Sequence, residues 1–274
     1  MTTFQRTVKF LAMLLAIALI AAIFTGFGGA IIGISHIFGG SDSISEITND
    51  EGYTTETFKQ EDIEKLDIEL AAATIQITDG DTFSVQYSKQ GARVQHKKNT
   101  LKIEEKGIGI IGFERDSVII VTIPSDMNVK NVDIESGAGA VNIDKLVCEK
   151  FELEFGAGEV TLGDVEFKSK AQFDCGVGKL TVKNGIMNNL EFSSGVGDCN
   201  INAYLTGKAN FEAGVGKVAL SLLGEKQDYT VSAETGVGII SVDGQRLSDG
   251  DIFGDGENKV YIEGGVGAVK VSFP

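Results

Sequence analysis

Along most of this chain, apolar and polar residues alternate around a repeated glycine pair. The pair occurs at Gly137-Ala138-Gly139, Gly156-Ala157-Gly158, Gly176-Val177-Gly178, Gly195-Val196-Gly197, Gly214-Val215-Gly216, Gly236-Val237-Gly238 and Gly265-Val266-Gly267. Successive first glycines stand 19, 20, 19, 19, 22 and 29 residues apart. Five residues before each lie Val132, Phe151, Ala171, Leu190, Ala209, Val231 and Val260, and three before lie Ile134, Leu153, Phe173, Phe192, Phe211, Ala233 and Ile262. Four after come Val141, Val160, Leu180, Cys199, Val218, Ile240 and Val269, and six after come Ile143, Leu162, Val182, Ile201, Leu220, Val242 and Val271. Period-2 alternation on both flanks predicts two short strands per repeat, each with one buried face. Between them the Gly-x-Gly makes a corner where a Cβ would obstruct the path or φ must be positive. A third apolar position follows at Leu146, Val165, Ile186, Tyr204 and Leu223.

No single repeat can bury its inward row; stacking on the next one does so. The expected fold is therefore all-β, a parallel β-solenoid of roughly 19–22-residue coils. A β-propeller needs about 40 residues per blade, and calcium-binding nonapeptide rolls need a period near nine with an aspartate column, so neither fits.

Four segments follow. Residues 1–40 begin with Arg6 and Lys9 and continue as an apolar run from Phe10 through Phe24 into glycine-rich sequence. That length suffices for a transmembrane helix with a cytoplasmic N-terminus and an extracytoplasmic C-terminal domain. A cleaved signal peptide is the rival reading, but its apolar region is shorter and ends at a small-x-small site. The expected localisation is thus the cell membrane, single-pass, with the membrane itself as one partner. Residues 41–58 form a polar linker. Residues 59–131 hold a degenerate first coil, Leu66–Ile77, with alanines in place of glycines, and capping strands at Phe83–Tyr87, Leu101–Ile103 and Val118–Ile123. Residues 132–274 are the regular array.

The formal net charge is −15 over 274 residues, and no nucleic-acid partner is expected. The acids are patterned. Two residues before each first glycine stand Glu135, Glu154, Asp174, Ser193, Glu212, Glu234 and Glu263, and Glu69 continues the column. Parallel stacking makes this a ladder of like charges roughly 5 Å apart, repelling by about 1 kcal/mol per neighbour even in water. Lysines leaning in from other columns (Lys145, Lys150, Lys170, Lys179, Lys217) offer one compensation. The other is a divalent cation, calcium above all, drawn by Glu135, Glu154 and Asp174 and by an acidic loop with Asp249, Asp251, Asp255 and Glu257. That loop is not an EF-hand, because Phe253 stands where a ligand is needed. No other cofactor is expected.

Catalysis has little to work with. The chain has two histidines, His36 and His96, and neither a Gly-x-Ser-x-Gly elbow nor a His-Glu-x-x-His motif. Gly107-Ile108-Gly109-Ile110-Ile111-Gly112 matches a dinucleotide fingerprint, but a β-branched strand follows where a helix is required. Cys148, Cys175 and Cys199 lack zinc-type spacing and read as core residues. No catalytic residue is assigned.

The transmembrane N-terminus, the strand Ile119-Ile120-Val121-Thr122-Ile123-Pro124 and the Gly-[Ala/Val]-Gly repeats together resemble a bacterial putative-adhesin domain of unknown function, found in LiaG-like envelope proteins. The resemblance covers roughly residues 60–274. It implies a membrane-tethered, non-enzymatic β-repeat domain outside the cytoplasmic membrane, meeting an envelope protein or a cell-surface ligand. Two rivals stand beside it. One is an accessory or sensor protein of an envelope stress response, its helix pairing through Gly29-Ala30-Ile31-Ile32-Gly33. The other is a polysaccharide-acting enzyme, which would need acids gathered in a groove.

Overall fold

The computed structural model describes residues 52–106, 117–127 and 129–274, all within one compact unit, Glu51–Pro274. The apolar N-terminal segment, most of the linker and the Gly107–Gly112 loop lie outside the described residues. Among the described residues no helix is long and apolar enough to cross a membrane.

Among the described residues, seventeen strands join into one continuous hydrogen-bonded sheet. The chain enters through β1 (Tyr53–Thr57), then forms β2 (Lys65–Leu70) and β3 (Thr74–Asp79) around the alanine corner. Next come β4 (Ser84–Ser88), β5 (Ala92–Lys97), β6 (Thr100–Glu105) and β7 (Val118–Ile123). β8 (Val129–Asn188) is a single ribbon that winds through three glycine corners, and β9 (Leu190–Thr206) continues it. β10 (Lys208–Glu212), β11 (Val215–Leu222), β12 (Tyr229–Glu234) and β13 (Val237–Val242) form two further coils. β14 (Gln245–Leu247) and β15 (Ile252–Phe253) precede β16 (Asn258–Glu263) and β17 (Val266–Ser272).

The coils stack in parallel and in the expected register, for example Phe173 opposite Phe192, Gly178 opposite Gly197 and Leu180 opposite Cys199. All four apolar columns face inward, and their residues are buried. The core is aromatic at its centre: the rings of Phe151 and Phe167 stack with centroids 4.3 Å apart, and Phe173 lies 5.6 Å from Phe151. The three cysteines are buried and free, and burial pushes each thiol up, that of Cys199 to about 11.

Both reasons for glycine at the corners are met. The second glycine of six corners has positive φ, from +118° at Gly139 to +150° at Gly197. A Cβ on either glycine would also run into the carbonyl oxygen of the corner stacked beneath it, as Gly197 would into Gly178. The alanine corner departs from this rule, and its own backbone is held differently. There one carboxylate oxygen of Glu105 accepts the N–H groups of Ala71, Ala72 and Ala73 at 2.7, 2.7 and 2.9 Å.

Two expectations change. Chain order is not stacking order at either end. β6 and β7 pair with β2 and β3 on their outer side, so Leu101–Ile103 and Val118–Ile123 form the outermost coil, with Leu101 and Ile103 in the columns of Leu66 and Ile68. The caps proper are antiparallel: β5 on β6, β4 on β7 and β1 on β4. At the other end, β16 lies between β10 and β12, and β17 between β11 and β13. The last coil in sequence is therefore the penultimate one in space, and β14 and β15 cover parts of the final edge. The third apolar column also differs. Ile186 is 50% exposed, while Gly185 faces Ala203, and Met187 and Leu205 point inward. Earlier coils spend two outward residues at this corner (Asp144 and Lys145), but the Gly195 coil spends one, Asn202, and the ladder shifts register between Val182 and Gly185.

Candidate interaction face

Outward residues of the first side, the strand before each glycine corner, fall into three columns. Six residues before the glycine the column is basic, with Lys65, Lys150, Lys170, Lys208 and Lys259. Four before it, in spatial order, run Lys102, Asp67, Asp133, Glu152, Gln172, Glu191, Asn210, Tyr261 and Ser232. Two before it run Glu104, Glu69, Glu135, Glu154, Asp174, Ser193, Glu212, Glu263 and Glu234. The acidic ladder is thus longer than the sequence suggests, because the outer coil adds Glu104, and Glu263 falls between Glu212 and Glu234.

Its compensation also differs from expectation. Lys102 bridges the ladder at 2.7 Å to Glu69 and 3.0 Å to Glu104, and those hydrogen bonds hold its pKa above the usual lysine range. The basic column serves the middle column instead, through Lys65 with Asp133 and Lys170 with Glu191. Of the other lysines proposed as partners, Lys179 reaches Glu159 and Lys145 reaches Ser125. Glu135, Glu154 and Asp174 stand exposed mid-ladder, with Asp174 accepting the Gln172 amide at 3.2 Å. Exposed ion pairs of this kind contribute about 0–1 kcal/mol each.

The acidic loop divides. Asp249 accepts the Thr235 N–H just after β12 at 3.1 Å and so ties the loop to the preceding coil, while Asp251 accepts the Ser248 N–H at 2.7 Å within the turn itself. Asp255 and Glu257 point to solvent beyond them. Among the described residues no three His, Cys, Asp or Glu side chains converge as a metal site. The loop does bring Asp249 and Gly250 against the end of the ladder. There a cleft of about 490 Å3 lies across β10, β16 and β12, lined by Asn210, Tyr261 and Ser232 on one rim and Glu212, Glu263 and Glu234 on the other. Sequence reading missed this cleft, although Tyr261 is the lone aromatic in its column.

A Toastrack DUF4097 family model matches residues 63–251, more than half of the chain. The chain belongs to that family. The matched span begins with the coil of the alanine corner and ends within the final cap, so the inserted last coil falls outside it. No curated protein matches the chain. Among solved structures, a putative adhesin from Bacteroides fragilis is similar at 18% identity, over 81% of this chain and 98% of that one, with a TM-score of 0.46. A putative cell adhesion protein from Clostridium sporogenes is 16% identical over 81% and 99% of the two chains, with a TM-score of 0.40. A putative lipid binding protein from Parabacteroides distasonis is 16% identical over 81% and 97%, with a TM-score of 0.29.

Proposed function

We propose that this Toastrack protein is a non-enzymatic, membrane-tethered surface protein. Its solenoid stands outside the cytoplasmic membrane and offers the acidic first side to a partner in the envelope or on a cell surface. The observation that carries this reading is the ladder along one column of that side: eight of its nine positions are acidic, and Lys102 bridges two of them. A parallel stack holds these charges about 4.8 Å apart, so an approaching cationic group lowers their mutual repulsion. Arg6, Lys9 and the apolar run after them support the tether. An accessory or sensor role in an envelope stress response is the second reading, supported by the Gly29–Gly33 spacing in that run.

The test is binding of the detergent-solubilised full-length chain to whole bacterial cells and wall fragments, measured from low to high sodium chloride. A variant carrying Glu69→Gln, Glu135→Gln, Glu154→Gln and Asp174→Asn is measured beside it. Binding that weakens with salt and falls by about tenfold in the variant is the expected result. Binding indifferent to both would sink the acidic face as the interaction surface.

A further inference from the structure

The cleft at the C-terminal end of the first side differs in kind from the rest of that side. In the middle of the stack the two outward columns carry acids on both rims, as in Asp133 with Glu135 and Glu152 with Glu154. Over the last three coils the outer rim becomes neutral: Asn210, Tyr261 and Ser232 sit side by side in register on β10, β16 and β12. Small neighbours on both sides leave the Tyr261 ring uncovered, and the residue is 44% exposed. This arrangement exists because β16 is inserted between β10 and β12; in chain order Tyr261 would have ended the stack. Facing the ring across the cleft are the carboxylates of Glu212, Glu263 and Glu234, with Asp249 closing one end. Beyond Ser232 the row continues to Ile252 of β15, which is also exposed. Two residues before the neutral rim stand Lys259, spent within the fold on Thr230 and the Gly256 carbonyl at 3.0 and 2.7 Å, and Lys208, exposed beside it.

An uncovered aromatic face, a rim of hydrogen-bond acceptors and a neutral amide and hydroxyl on the other rim fit an amphipathic disc. One face of such a ligand is apolar and its edge carries hydroxyl groups. A pyranose ring has that form: its C–H face packs on an aromatic ring, and its equatorial hydroxyls donate to carboxylate oxygens. The cleft, of about 490 Å3, is open on its outer side, so it suits a ring laid flat on the sheet face. Four carboxylates around it repel uronic acids and phosphate-bearing polymers.

We propose that this cleft is a glycan-binding subsite that seats a neutral or amino sugar against Tyr261, with Glu212, Glu263, Glu234, Asp249 and Asn210 reading its hydroxyl and amino groups. It rests on the reading that the first side meets a ligand outside the membrane, and it names that ligand's class. Tyr261 binds by stacking, so its hydroxyl is dispensable.

The test uses the full-length chain and three defined probes: glucosamine oligomers, cello-oligosaccharides and oligogalacturonate, titrated by calorimetry. Binding of the first two and none of the third is expected. Tyr261→Ala should weaken binding by about tenfold, Tyr261→Phe should keep it within about twofold, and Glu166→Gln, on the third side of the solenoid between buried Val165 and Phe167, should leave it unchanged. Thermal melts confirm that each variant is folded. Loss of cell binding on neutralising the ladder, with none of the sugars bound, would overturn the glycan subsite and leave the acidic face standing. Equal binding by Tyr261→Ala, or an arginine-rich peptide bound at Tyr261 in place of sugars, would also overturn it. Sugar cleavage that stops in Glu263→Gln would make the cleft a hydrolytic site and overturn both readings.

Discussion

At the scale of single residues, the fold depends on places where one side chain, or none, is tolerated. Gly197 has φ +150°, and a Cβ there would fall on the Gly178 carbonyl. Gly197→Ala should therefore cost on the order of 3 kcal/mol, seen as a fall in the thermal midpoint. Gly52→Ala, which meets nothing within 4 Å, should leave the midpoint alone. Equal effects from the two would refute the stacking argument for the corners. Tyr229 is a second such residue: its buried hydroxyl donates to the Leu223 carbonyl at 2.6 Å and accepts from the Leu205 N–H at 3.2 Å. Burial pushes its pKa up to about 12, and burial with the Glu56 contact does the same for Tyr87. A phenol whose folded pKa exceeds its unfolded value near 10 stabilises fully below about pH 10, and that contribution is lost as pH rises through about 12. The midpoint should fall across this window, and Tyr87→Phe with Tyr229→Phe should flatten the fall while lowering the midpoint at pH 8. An alkaline fall that is identical in the double variant would contradict this assignment.

At the scale of elements, alternation alone revealed the two strands flanking each glycine corner, because inward and outward residues differ sharply in polarity there. The third side was less legible. Its corner varies by one residue, and Gly185, Ala203 and Met187 carry too little or too flexible apolar bulk to mark a column. Coil order was not legible at all: Leu101 and Ile103 read equally well as cap or coil, and nothing local to Val260 or Val269 tells which strand lies beside it. The same limit hid the cleft, which exists only because Asn210, Tyr261 and Ser232 become neighbours through the insertion. Ending the chain after Gly256 tests that topology. Loss of a terminal coil would only shorten a solenoid, whereas loss of β16 and β17 removes the partner of β10, β11, β12 and β13 together. A large fall in midpoint, with protease cleavage within 208–242, is expected. A truncated chain melting near the full-length value would exclude the inserted arrangement.

At the scale of the whole molecule, stiffness and charge act together. Among the described residues, nine stacked rungs on the first side give a surface on which outward residues keep a fixed spacing, so composition converts directly into a field along the axis. On the first side the lysines, Lys102 apart, gather in one outward column and the acids in the other two, so the charge is segregated by column and the backbone keeps it so. The central claim is that the first side is an extended electrostatic surface rather than a cage for one ion. The most direct measurement is a thermal melt of the full-length chain titrated with calcium chloride and, at matched ionic strength, with sodium chloride. The expected result is a midpoint that rises alike in both salts through screening, with a smaller rise in the variant neutralised at Glu69, Glu135, Glu154 and Asp174. A rise specific to calcium, saturating as a binding curve and lost in that variant, would contradict the claim and make the ladder a cation site.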